Sequence, residues 1–227
     1  LEFYSDYSAS APDDLYMDFF MGQGPGDAPG GAGISVCYCG PVDQAERLLA
    51  PIRSVAPPAV DSLKSMDYVA LQRSGDIDDP RALGVYLKAG FVSGVDGALV
   101  DQLMDGFEAH PARRVGFFLQ HAGGAIDRVP MDATAFANRN ASHNLGISVG
   151  WPMGQTSDPS PHVDYLRRYW AEVEPLTQGF YTNDVADESG GKIRSNYGPN
   201  YARLVSLKNR YDPTNLFRLN ANIAPTV

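Results

Sequence analysis

The stretch His143 to Trp151, HNLGISVGW, constrains the fold more than any other part of the chain. Extended, it places Leu145, Ile147, Val149 and Trp151 on one side and Asn144, Gly146, Ser148 and Gly150 on the other. The apolar side must be buried against helices. The other side is small and polar, which composition alone reads as a solvent-facing surface, although small residues in a strand also leave room for something to lie over it.

The remaining segments supply the layers. Leu15 to Met21, Ile34 to Cys39, Val85 to Val92 and Arg114 to His121 have strand character. Pro41 to Arg53, Gly97 to Ala109 and Pro161 to Glu174 carry apolar residues at helical spacing, and residues 3 to 12 suggest a short helix before Pro12. Ala56 to Arg81, rich in proline, serine and aspartate, predicts irregular chain with a short helix near Tyr68 to Leu71. The run GQGPGDAPGGAG lacks the lysine and hydroxyl ending of a phosphate loop and leads into a strand, so it predicts a long hairpin connection. Strands mixed with helices, with no βαβ glycine fingerprint, predict an α+β fold: an antiparallel sheet with helices packed on one face and an irregular C-terminal tail.

The tail itself begins at Gly179, with a strand expected over Phe180 to Asn183, then an acidic glycine-rich loop. A helix follows with Tyr201, Leu204, Val205 and Leu207 at helical spacing, stopped at Asp212-Pro213. Asn215, Asn220 and Asn222 punctuate a terminal segment without periodicity.

At 227 residues and 44% hydrophobic the chain suffices for one well-filled core. A net charge of -9, with no basic stripe, argues against nucleic acid or an anionic membrane as partner and favours solubility. No apolar run reaches the ~20 residues of a membrane span, and the N-terminal LEFYSDYSAS does not resemble a targeting segment, which leaves the compartment open. Cys37 and Cys39, two apart, suit neither a relaxed local disulfide nor a zinc knuckle and suggest a packed pair of reduced thiols. The four histidines lack metal-ligand spacing, so no metal site is expected. His143 shares the apolar side of its strand, which suggests a satisfied core histidine.

Two longer runs resemble a known family. YGPNYARLVSLKNRYDPTNLFRLNANIAP, with Tyr181-Thr182-Asn183 upstream, Lys208 to Phe217 within it and Asn220 to Ile223 near its end, is similar to the C-terminal signature of berberine-bridge-enzyme-like flavoproteins. These are FAD-linked oxidases of the vanillyl-alcohol-oxidase type. GGAIDRVPMDATAFANRNASHNLGISVGW is similar to the turn, threonine-alanine-phenylalanine-x-x-arginine segment and substrate-domain strand of that family. The resemblance covers nearly the whole chain. It implies residues 1–178 as a substrate-binding domain and 179–227 as a C-terminal segment that returns to an FAD-binding half absent from this sequence. That half, whether a domain of a longer protein or a separate chain, is then the partner, together with a small-molecule substrate.

The resemblance also implies roles. Relatives often carry a glutamate or glutamine base at the position aligned with Gly146, which has no side chain to serve. The catalytic base is then assigned to Tyr181, with Asp184 as the alternative. A phenol of pKa ~10 acts as a base once nearby donors lower it. For Asp184 the competing reading is a carboxylate that opens an acidic loop with Asp187 and Glu188. Asn183, Asn220 and Asn222 are expected to meet the flavin, although asparagine also tolerates turn geometry at a chain end. Asn144, Gly146 and Ser148 are expected to line the substrate. The function implied is the substrate-binding and C-terminal portion of an FAD-dependent oxidoreductase oxidising an alcohol, sugar or secondary metabolite by hydride transfer. The alternatives are a non-catalytic domain that binds a small molecule or a partner, and a fragment inactive alone.

Overall fold

The protein, seen in a computed structural model that describes residues 1–23, 29–76, 79, 82–154, 158–184 and 190–227, is built on one five-stranded antiparallel sheet. The strands are β1 (Leu15–Gly22), β2 (Gly31–Tyr38), β3 (Leu83–Val92), β4 (Arg114–His121) and β5 (His143–Pro152), in the order β2-β1-β4-β5-β3. The glycine-proline run joins β1 to β2 as expected, in a hairpin paired from Leu15 opposite Tyr38 to Gly22 opposite Gly31; residues 24–28 of it lie outside the described residues.

The alternation in β5 is repeated across the register. Phe19 lies opposite Leu119, and Leu119 opposite Leu145, so one face collects Leu15, Met17 and Phe19, Val115, Phe117 and Leu119, and Leu145, Ile147 and Val149, all buried. Side chains of this size each contribute about 1.5–3 kcal/mol when fully removed from water. Four helices supply the second layer: α1 (Glu2–Ala9), α2 (Val42–Ser54), α4 (Gly97–Asp105) and α5 (Ser160–Val173). Helix α3 (Tyr68–Arg73), in the irregular segment, buries nothing. Tyr4 of α1 enters the core and donates its hydroxyl proton to the Leu119 carbonyl at 2.7 Å, which fixes the helix to β4. Burial pushes that phenol's pKa up.

Two expected elements differ. The helix expected over Gly97 to Ala109 ends at Asp105, because α5 caps it: the Tyr165 hydroxyl donates to the Gly106 carbonyl at 2.7 Å and the Tyr169 hydroxyl to that of Leu103. The strand expected over Phe180 to Asn183 does not form. Gln178 makes a single bridge to Phe91, and the chain then turns at Gly179, whose φ of 52° lies in the left-handed region.

Beyond it, α6 (Gly190–Tyr197), a short 3-10 turn (Gly198–Asn200) and α7 (Tyr201–Tyr211) complete the chain. Ile193 and Phe180 pack with Ala89, joined by Tyr197 and Ala221. Ala89 pairs with Gly146, so this small cluster sits on the sheet face opposite the main core. The α+β architecture is thus as the sequence implied. Cys37 and Cys39 are free thiols with their sulfurs 3.8 Å apart. Among the described residues no helix is long and apolar enough to cross a membrane.

Candidate functional site

The face of the sheet opposite the main core is organised in two rows by strand register. In the first, Asp18 of β1 lies opposite Gln120 of β4, Gln120 opposite Asn144 of β5, and Asn144 opposite Phe91 of β3. In the second, Gly33, Phe20, Phe118, Gly146 and Ala89 follow one another across all five strands. The polar row is half enclosed. Asn144 is only 6% exposed, and its amide Nδ2 donates to Gln120 Oε1 and to Asp184 Oδ2, both at 2.9 Å. Its Oδ1 is enclosed without a hydrogen-bond partner, and so is Oδ1 of Asp18. Burial raises the Asp18 pKa above the usual carboxylate range, opposed by a hydrogen bond from Tyr16, while burial and Asp18 together push the Tyr16 phenol up.

The turn carrying Tyr181 is held onto this face from both ends. At its start, Asn196 of α6 accepts the Phe180 amide at 2.7 Å and the Asn138 side-chain amide at 3.1 Å. A Cβ on Gly179 would come within 2.3 Å of Asn138 Oδ1, so the close approach as well as the left-handed backbone requires glycine. At its end, Asp184 donates its backbone amide to the Tyr181 carbonyl and takes the Asn144 amide with its carboxylate. Asp184 therefore reaches back to β5; the rest of the acidic run, residues 185–189 with Asp187 and Glu188, lies outside the described residues. Tyr181 is 42% exposed, and Asn183 Nδ2 donates to its phenolic oxygen at 2.8 Å. A cleft of about 210 Å³ lies beside it, lined by Phe136, Asn138, Tyr181, Thr182 and Tyr197 among others. Arg139 steadies the wall of that cleft by donating to the Phe136 carbonyl at 3.2 Å and to the Thr134 hydroxyl at 2.7 Å.

The remaining sequence-predicted residues fall in different places. Ser148 follows Asn144 and Gly146 on the same face, whereas the room that Gly146 leaves is taken by Phe118: a Cβ there would meet the ring at 2.1 Å. Asn220 is exposed at φ 59°, and Asn222 has its Oδ1 enclosed and without a partner. The tail between them and α7 is tied in a knot. Asp212 accepts the Leu216 and Phe217 amides at 2.7 and 3.0 Å, and Lys208 donates to Asp212 and to the Phe217 carbonyl. Asn209 and Thr226 clasp each other at 2.8 and 3.0 Å, which holds the chain end that the sequence alone would leave to fray.

His143 is a core histidine, 3% exposed, held between Ser8 Oγ at 3.1 Å and Ser142 Oγ at 2.9 Å. Burial, with His121 beside it, lowers its pKa to about 4. A larger cleft of about 630 Å³, bounded by Ser8, Asp13, His121, Asp127 and His143, includes none of the sequence-predicted site residues. Among the described residues no three acidic, histidine or cysteine side chains converge as a metal would require. Asp18, Tyr16 and Gln120 were invisible as site residues in the sequence; alternation gives their side of the strand, but only pairing places them in line with Asn144.

The family model described as berberine and berberine like matches residues 190–224. An FAD-linked oxidoreductase of Dictyostelium discoideum is 27% identical over 201 residues, which is 87% of this chain and 43% of that protein. An uncharacterised FAD-linked oxidoreductase of Bacillus subtilis is 36% identical over 112 residues, 48% of this chain and 24% of that protein. Among solved structures, 6-hydroxy-D-nicotine oxidase from Arthrobacter nicotinovorans superposes with a TM-score of 0.75 at 21% identity, covering 98% of this chain and 49% of that one. A carbohydrate oxidase from Microdochium nivale gives the same TM-score and identity over 100% of this chain and 51% of that one. The chain therefore spans about half the length, or less, of the relatives it matches, and it is similar in sequence and fold to part of the berberine-bridge-enzyme-like FAD-linked oxidoreductases, consistent with their C-terminal half.

Proposed function

We propose that this chain supplies the substrate face and C-terminal segment of an FAD-dependent oxidoreductase that oxidises an alcohol, sugar or secondary metabolite. Residues 1–178 form the substrate-binding domain, and 179–227 form the segment that meets an FAD-binding half. The observation that carries this reading is the Tyr181 turn. It is tied through Asp184 and Asn144 onto the sheet face that the main helices leave uncovered, with its phenol exposed beside a cleft.

The tail suits a flavin and the half that holds it. The partnerless Oδ1 of Asn222 lacks only an N–H donor, and Leu216, Phe217 and Leu219 are 72%, 78% and 85% exposed, an apolar run that a second body would cover. Asn183, Asn220 and Asn222 are the residues that would hold the ring edge. A bound flavin supplies the acceptor for the substrate's hydride. Tyr181 takes the proton from the substrate heteroatom, and the Asn183 amide already aimed at its oxygen strengthens as a hydrogen bond once that oxygen carries charge. Asn144 holds the turn, and Ser148 offers a hydroxyl further along the same face.

In the complete flavoenzyme, Tyr181→Phe is expected to lower turnover by about 10²–10⁴-fold, the usual range for loss of a general base, with the visible flavin spectrum unchanged. Wild-type turnover in that variant would remove Tyr181 from the mechanism.

A further inference from the structure

This inference rests on the reading of the uncovered sheet face as the substrate face. Three features of that face have no part in the chemistry assigned above. The first is the Phe20 and Phe118 pair, adjacent strand partners whose rings lie over Gly33 and Gly146. Phe20 is 49% exposed, and the two rings lean away from each other, one over β2 and the other over β5, which spreads apolar surface across these strands. The second is the pair of enclosed acceptors in the row beside that floor, Oδ1 of Asp18 and Oδ1 of Asn144, neither with a hydrogen-bond partner. An enclosed acceptor left unsatisfied is costly, so each gains when the side chains around it give way to a ligand that brings a donor. The third is their separation: Gln120 lies between Asp18 and Asn144, so the two sit two strand spacings apart, roughly 10 Å.

We propose that Asp18 is a specificity-determining substrate anchor, which accepts a hydrogen bond from a hydroxyl or ammonium group of an elongated substrate whose reacting end lies at the Asn144–Tyr181 end. The molecule lies with a flat apolar face on Phe20 and Phe118. Its far donor reaches Asp18, and its near end lies by the turn held by Asn144 and Asp184. Tyr16 lies two residues before Asp18 on the same face. A short substrate fills the near end and leaves Asp18 unused.

A matched pair of probes isolates the anchor: biphenyl-4,4'-dimethanol, with a donor at each end, and biphenyl-4-methanol, which lacks the second. Calorimetric binding to the complete flavoenzyme, without turnover, is the readout. The wild type is expected to bind the diol about tenfold more tightly, the upper end of what one ordinary hydrogen bond contributes. Asp18→Ala should erase the preference, and Asp18→Asn, which preserves shape, should reduce it. Equal binding of both probes by the wild type, binding of neither, or a preference that survives Asp18→Ala overturns the proposal. The Tyr181→Phe turnover measurement is independent, so failure of the anchor is distinguishable from failure of the oxidoreductase assignment.

Discussion

His143 shows how much one side chain's surroundings decide. Its ring sits on the buried side of β5 between two serine hydroxyls, and its pKa falls from 6.5 to about 4. The folded state keeps the ring neutral where the unfolded chain takes up a proton. Its contribution to stability is therefore fully present above pH 6.5 and is lost as pH falls towards 4, by about 3 kcal/mol at the limit. Urea unfolding at pH 7 and pH 5 should show a marked loss in the wild type and a smaller one in His143→Gln; parallel losses would mean that another group carries the acid sensitivity. The sequence already placed this histidine in the core, because alternation alone fixes its side. Asp18 was not legible in the same way. Its burial pattern is ordinary for a polar position in a half-covered strand, and its line-up with Gln120 and Asn144 depends on pairing between segments about a hundred residues apart, which no local pattern contains.

At the level of elements, strands and helices with strong periodicity appear where the sequence put them, β4 over Arg114 to His121 and α5 within a residue at each end. The departures are tertiary. Helix α4 stops short because tyrosines from α5 take its terminal carbonyls, and the Tyr181 segment turns because Asn138 and Asn196 close around Gly179. The Lys208 to Phe217 signature is a structural device in its own right: one carboxylate, Asp212, satisfies two tail amides and a lysine. Lys208, followed by the tail amides, holds the Asp212 pKa below the usual carboxylate range, so the knot is intact above that range and loosens in acid. Asp212→Ala is expected to free the tail at neutral pH. Limited proteolysis after Leu216 or Phe217 should then run several-fold faster than in the wild type, and unchanged cleavage would show that the Asn209–Thr226 clasp alone suffices.

Taken whole, the molecule has one finished side and one unfinished side. The helical layer closes over the core, while the opposite face presents Tyr16, Phe20, Leu83 and Val85 together with the apolar tail, all more than a third exposed. A surface of that character marks an interaction or ligand-binding site. If the proposed FAD-binding half covers this face, the 227-residue chain alone should enhance the fluorescence of a hydrophobic dye such as ANS several-fold more per mole than the chain joined to that half; equal enhancement would mean that this face stays open in both.

The strand order has a consequence in time. The β1–β2 hairpin joins neighbours in the sequence, and hairpins of this kind close in about 1–10 μs. The centre of the sheet forms otherwise: Phe20 must find Phe118, and Gly90 must find Leu145, across long stretches of unordered chain. Loop closure over such distances is paid before the contacts return it, so β4 and β5 join late. Until they do, the strand edges of β1 and β3 are bare, and it is during synthesis and refolding, more than in the native state, that this chain is at risk of pairing with its own copies.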